Sequence, residues 1–155
     1  MTFCSMGIDP GLKGGVGYIT KGGTAAIPMP VTGGDIDGHQ IAAHLRDISP
    51  TIVIIEKVHS MPKQGVSSTF KFGMGYGLVI GVCETLGIPY RLVTPQAWKK
   101  TVLAGTAKDK DAAIAFVRRA FPAIDLSPGR KRVPHDGMAD AMCLAEYGRQ
   151  LIAQE

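Results

Sequence analysis

Cysteine is scarce in this 155-residue chain: Cys4, Cys83 and Cys143 form no CxxC pair, and their odd number argues against a disulfide framework. They read as small core hydrophobes. Long apolar runs are absent as well. Stretches such as TIVII and GLVIGVC fall far short of the roughly 20 residues that span a bilayer, and residues 1 to 20 carry no basic-then-apolar leader pattern. No internal repeat, linker or low-complexity tract interrupts the sequence. These absences predict one cytosolic domain over residues 1–155, and the 45% hydrophobic content suffices for a single core.

Net charge is also small, at +4, but it is unevenly placed. Residues 57 to 132 hold 13 Lys and Arg against four acids, Glu84, Asp109, Asp111 and Asp125, which leaves +9 in about half the chain. Asp9, Glu56, Asp136 and Asp140 lie outside that block. A basic surface around an acidic centre suits a polyanionic partner, although charge alone fits a merely solvated face equally well.

The elements are legible from periodicity. FCSMGID, VGYIT and TAAIPM read as three strands joined by Gly-rich turns, an antiparallel meander. DIDGHQIAAHLRDI reads as a helix over 35–48 with Asp35 or Asp37 as its cap. TIVIIE, a β-branched run, predicts a strand buried on both faces and ending at Glu56. A longer helix runs from Ser67 or Thr69 to Gly87, and its glycines at 73, 75, 77 and 81 imply close packing or close approach of a ligand. IPYRLVT is a fifth strand, PQAWKKTV a short helix started by Pro95, and KDKDAAIAFVRRAF another helix. The last helix carries HDGMADAM. This order predicts an α/β fold, a central mixed five-stranded sheet flanked by helices.

On that frame the acids acquire a place. Asp9 and Glu56 each end a strand, and open α/β sheets gather ligands at such ends. The slim PGLKGG loop past Asp9 predicts room for a phosphate backbone. Asp136 and Asp140, at i and i+4, share a helix face. An acid within the apolar stretch around Asp140 would be costly unless neutralised. Four crowded carboxylates call for hard cations, magnesium or manganese, and two such ions about 3.5 to 4 Å apart form a phosphoryl-transfer site. Each residue also has a plainer reading: Asp9 as a turn residue, Glu56 as a strand end, Asp136 as an N-cap, Trp98 as core.

GIDPGLKGGVGYI, TIVIIEKVHSMPKQGVSSTFKFG, VTPQAWKKTVLAGTAKDKDAA and MADAMCLAEYG follow one another like the successive motifs of the RuvC-like Holliday junction resolvases of the ribonuclease H-like superfamily. The resemblance covers nearly the whole chain, and MPKQGVSSTFKFG looks more like the phage-borne members. It implies a ribonuclease H-like fold and a homodimer that binds a four-way DNA junction and nicks two strands symmetrically with two magnesium ions, manganese substituting. It implies no small-molecule cofactor, no membrane, and a bacterial cytoplasm, or a host's if phage-encoded.

Carried over, Asp9 and Glu56 are the strand carboxylates and Asp140 the closing helix carboxylate. The family places an acid or His three residues before that last Asp, where this chain has Gly137. Asp136 is then the expected fourth ligand, with His135 a neighbour binding metal or phosphate. Lys99 matches a lysine that stabilises phosphate charge, and Lys110 one that contacts DNA. Lys63, Lys71, Lys100 and Lys108 join the expected DNA surface, as do Arg130, Lys131 and Arg132. His59 stands where the family has a junction-opening aromatic, with Met61, Phe70 and Phe72 as alternatives. The helix after Glu56 supports dimerisation in the family, so its glycines and Met74 and Tyr76 fall to that interface. Two other functions remain: a broader fork or flap nuclease, and a non-catalytic junction-binding protein. An actin-like or sugar-kinase-like ATP module is excluded, because 155 residues cannot hold its two domains.

Overall fold

The computed structural model describes residues 3–107, 109–129 and 132–155. Lys108, Arg130 and Lys131, expected on the DNA surface, lie outside the described residues. Strands β1 (Cys4–Asp9), β2 (Gly15–Thr20), β3 (Gly23–Pro28), β6 (Ile52–Glu56) and β7 (Tyr90–Val93) form a five-stranded sheet ordered β3-β2-β1-β6-β7. The first three strands are the antiparallel meander, while β6 runs parallel to β1 and β7 parallel to β6. The mixed sheet expected from the sequence is present. A two-residue hairpin, β4 (Val31–Thr32) with β5 (Asp35–Ile36), was not foreseen, being too short to show alternation.

Helices cover both faces. On one face, α1 (Gly38–Ile48) and α2 (Val66–Leu86) enclose a core with Met6, Ile8, Val53 and Ile55. On the other, α3 (Pro95–Val102), α4 (Ala112–Ala120) and α5 (Asp136–Ala153) enclose a second core around Ile54, Trp98, Val117 and Met142. Val53, Ile54 and Ile55 are each fully buried, which explains why β6 is apolar throughout rather than alternating. The three cysteines are free and buried, as expected.

Local chemistry sets the helix ends. Asp37 caps α1 by accepting from the Gln40 backbone N–H at 3.0 Å, and Thr94 caps α3 ahead of Pro95. The helix expected over KDKDAAIAFVRRAF is shorter than its apolar spacing suggested. Asp109 accepts the Asp111 N–H at 2.9 Å, a local turn that competes with helix and delays α4 to Ala112.

The expectation about membrane length also changes. Folding joins short apolar runs into the 21-residue α2, which is, among the described residues, the one helix long and apolar enough by length and composition to cross a membrane. Its buried Val79 and Cys83 join the core with Met6, Ile8 and Val53, and Gly75 packs against Ile36 of the β4–β5 hairpin.

Helix α5 lies unusually close to the sheet, because the residues facing it are small. A Cβ at Gly7 would meet the Ala145 backbone N at 2.5 Å, and one at Gly15 the Gly137 backbone at 2.8 Å. Ser5 donates its hydroxyl to the Ala145 carbonyl at 2.6 Å. The glycines after Asp9 therefore seat a helix. Gly14 and Gly15 pack under the first turn of α5, a second reason for a slim loop beside the expected approach of a phosphate backbone.

Candidate active site

Parallel pairing of β1 with β6 runs through Ile8 opposite Ile55, so the next residues, Asp9 and Glu56, end adjacent strands on the same edge. Helix α5 starts over that edge, its Gly137 packed on the backbone of Lys13 and Gly14. One turn in, Asp140 comes near enough to interact with the charges of both strand carboxylates. The sheet and α5 thus bring together three of the four expected acids.

Their electrostatics record the crowding. Burial, then the nearby Glu56 charge, push the Asp9 carboxyl up to about 6 against a hydrogen bond from the Gly11 N–H. Burial, then Asp9 and Glu56, push Asp140 up to about 7, with Lys99 opposing and Asp136 adding the least. Asp136 is exposed and lines a cleft of about 840 Å³ together with Gln96, Lys99, Lys100, Lys110 and Asp140.

Among the described residues no three His, Cys, Asp or Glu side chains are gathered closely enough to form a ready metal cage. Uncompensated carboxylates repel, which opposes such a cage before a cation neutralises them. The donor set is nevertheless apt: Asp9, Glu56 and Asp140 are hard oxygen donors on three rigid elements, the preference of magnesium or manganese.

His135, not Asp136, is the N-cap of α5: its Nδ1 accepts the Met138 N–H at 3.0 Å. Capping engages that nitrogen, and Asp136 becomes the first helical residue. The departure at position 137 has a physical reason. Any side chain there would collide with the Lys13 carbonyl and Gly14, so the family's acid cannot be accommodated with α5 seated this closely.

The other expected residues are dispersed. Lys99 and Lys100, both exposed, end α3 beside the cleft, and Lys110 lies in the turn before α4. Lys71 pairs with Asp35 at 3.7 Å and donates to the Gly34 carbonyl at 3.3 Å, tying α2 to the β4–β5 hairpin. His59, Lys63 and Arg132 are exposed in loops. Met61 is 61% and Phe70 72% exposed, whereas Phe72 is half-buried near Gly11 in the turn after Asp9. Sequence reasoning assigned Trp98 only to the core. Its ring is fully buried, yet its indole N–H also donates to Glu56 Oε2 at 2.7 Å. Nothing local signals that bond, since its partner lies on another element.

No family model matches the chain. A curated relative, the crossover junction endodeoxyribonuclease RuvC of Myxococcus xanthus, is 28% identical over 137 residues, covering 88% of this chain and 70% of that protein. Among solved structures, RuvC of Thermus thermophilus in complex with a Holliday junction substrate superposes with a TM-score of 0.62 at 17% identity, covering 96% of each chain. The yeast mitochondrial Holliday junction resolvase Ydc2 superposes at 0.54 with 15% identity, over 96% of this chain and 82% of that one. With the strand order, the flanking helices and these superpositions in agreement, the chain has the ribonuclease H-like fold of the RuvC-like Holliday junction resolvases.

Proposed function

We propose that this protein is a metal-dependent, structure-selective endodeoxyribonuclease of DNA recombination and repair that resolves Holliday junctions by paired symmetric nicks. The observation that carries the reading is the meeting of Asp9, Glu56 and Asp140 at one sheet edge, close enough that their charges help raise the Asp9 and Asp140 carboxyls to about 6 and 7. The named activities of the Myxococcus, Thermus and yeast relatives supply the substrate class.

Asp9, Glu56 and Asp140 hold magnesium, two ions per site with manganese able to substitute, and Asp136 serves from the rim. Magnesium held there would supply a water nucleophile at neutral pH and charge stabilisation for the leaving oxygen. The chain's own residues do the rest. Lys99 stands beside the carboxylates as a point charge for a phosphate oxygen, and Lys100 and Lys110 line the cleft for the adjoining backbone. His135 braces the first turn of α5 and thereby the position of Asp140. Met61 and Phe70 present exposed apolar groups for unstacking bases near the junction centre, with His59 beside them.

Homodimerisation is the second part of the proposal. Leu78 and Met74 are exposed on α2, and a Cβ at Gly73, Gly77 or Gly81 would meet nothing within 4 Å. An apolar helix with open glycines at i, i+4 and i+8 suits close contact with its copy, and a twofold dimer supplies two equivalent sites for a twofold junction. A cytoplasmic location, bacterial or that of a phage's host, is part of the same proposal.

Cleavage of a labelled synthetic four-way junction, beside linear duplex, flap and fork, tests the reading. Symmetric nicks with magnesium, absent with chelator and in Asp140→Asn, are the expected result. Equal cutting of flaps and forks would broaden the substrate to branched DNA in general. Junction binding without cutting, in magnesium or manganese, would overturn the nuclease in favour of a binding protein.

A further inference from the structure

We propose that Trp98 is the positioning residue of the metal site: its indole N–H holds the Glu56 carboxylate for the cation, and its ring carries Lys99. The inference rests on the metal-site reading of Asp9, Glu56 and Asp140. Three observations place Trp98 in that role. Its Nε1–H donates to Glu56 Oε2 at 2.7 Å, across 42 residues of sequence and from α3 to the end of β6. Its ring is fully buried and belongs to the core beneath α5, so the donor is held by packing rather than by a flexible stem. Lys99 Nζ lies 5.5 Å from the same ring's centroid, within cation–π range.

Together these interactions make one rigid indole the common support of a carboxylate and an ammonium group. A carboxylate flanked by two others would otherwise swing away from them, because rotation relieves repulsion at little cost. A charge-assisted bond from a fully packed donor prevents that swing before any cation arrives. Outer partners of metal ligands act in this way, and losing one typically weakens metal binding about 10- to 100-fold. Ring and N–H do separable work here. Trp98→Phe keeps an aromatic face for Lys99 and loses the donor, whereas Trp98→Leu loses both.

The chain contains a single tryptophan, so fluorescence excited where its four tyrosines do not absorb reports on the surroundings of this one ring. Excitation moves electron density from the pyrrole ring toward the benzene ring, and a carboxylate at the pyrrole nitrogen stabilises that excited state. Neutralising Glu56 should therefore shift the emission to the blue. The experiment titrates magnesium into the full chain without DNA, reading emission and, in parallel, calorimetric binding. The expected result is a saturable blue shift whose midpoint matches calorimetry and which disappears in Glu56→Gln. Trp98→Phe should raise the calorimetric midpoint about 10- to 100-fold, measured at a temperature where its own melting curve shows it folded, since the buried ring also contributes to stability.

Emission indifferent to magnesium that calorimetry shows to bind would overturn the role of Trp98 and leave the metal site standing. So would an unchanged midpoint in Trp98→Phe. Absence of calorimetric binding to the wild type would overturn the metal site itself, and this inference with it. Should Trp98→Phe fail to fold, the wild-type and Glu56→Gln titrations decide.

Discussion

Asp140 sits where burial and two like charges oppose its ionisation, and that makes it the residue whose replacement tells most. Its folded-state carboxyl lies near 7 and that of Asp9 near 6, both above the ordinary 3.8 of an aspartate. Each group therefore favours the folded state while protonated and gives up that contribution as pH rises from about 4 to about 7. In chelator the melting temperature should fall across that interval by about 3 °C or more from this cluster, and magnesium at about pH 8 should restore it. Asp140→Asn should flatten the dependence in scanning calorimetry and raise metal-free stability at high pH, while lowering junction cleavage by about 100-fold or more. A variant that lost activity without flattening the pH profile would place Asp140 outside the coupled cluster. The three central acids were legible because each interrupts or ends an apolar run. The bond from Trp98 to Glu56 was not, since two side chains 42 residues apart leave no trace in local spacing.

Helix α5 shows what periodicity can and cannot convey about an element. Its existence and its acidic face were plain in HDGMADAM, but its height above the sheet depends on which strand residues lack side chains. Gly7 and Gly17 both face it, with different neighbours. A Cβ at Gly7 would strike the backbone of Ala141 and Ala145, which cannot move without lifting the helix, whereas one at Gly17 would meet the flexible Met142 thioether at 2.7 Å. Gly7→Ala should cost about 3 kcal/mol or more in urea denaturation, and Gly17→Ala about 1 kcal/mol. Equal costs would mean that α5 is not seated on the β1 backbone. The opposite sign is expected on α2. Gly77→Ala, in open space on an exposed helix face, should stabilise the isolated subunit by up to about 1 kcal/mol. The same methyl should weaken the dimer in analytical ultracentrifugation if that face meets its copy. Glycine-rich α2 was recognised as a helix, yet sequence could not tell its packed glycine, Gly75 against Ile36, from its open ones.

At the scale of the whole molecule, the proposed function assigns binding to the basic block and cutting to the acidic centre. With Lys99, Lys100 and Lys110 lining the cleft, junction affinity should fall steeply as salt rises, measured by fluorescence anisotropy in chelator. Replacing Lys100 and Lys110 by Ala should lower the slope of log affinity against log salt by about 1 for each phosphate that is no longer neutralised. An unchanged slope would move the DNA path away from this cleft. The mixed sheet was legible because its strands are short, β-branched and punctuated by glycine, while the β4–β5 hairpin and the late start of α4 hinge on turns that hydrophobic pattern does not encode. The same architecture carries a temporal consequence. Asp9 belongs to the first strand and Asp140 to the last helix, and the site needs both. A chain still on the ribosome, with α5 inside the exit tunnel, holds two of the acids and no means of closing them into a nuclease. If the proposed nuclease reading holds, synthesis itself delays the appearance of a DNA-cutting activity until the helix that completes the site has emerged and docked.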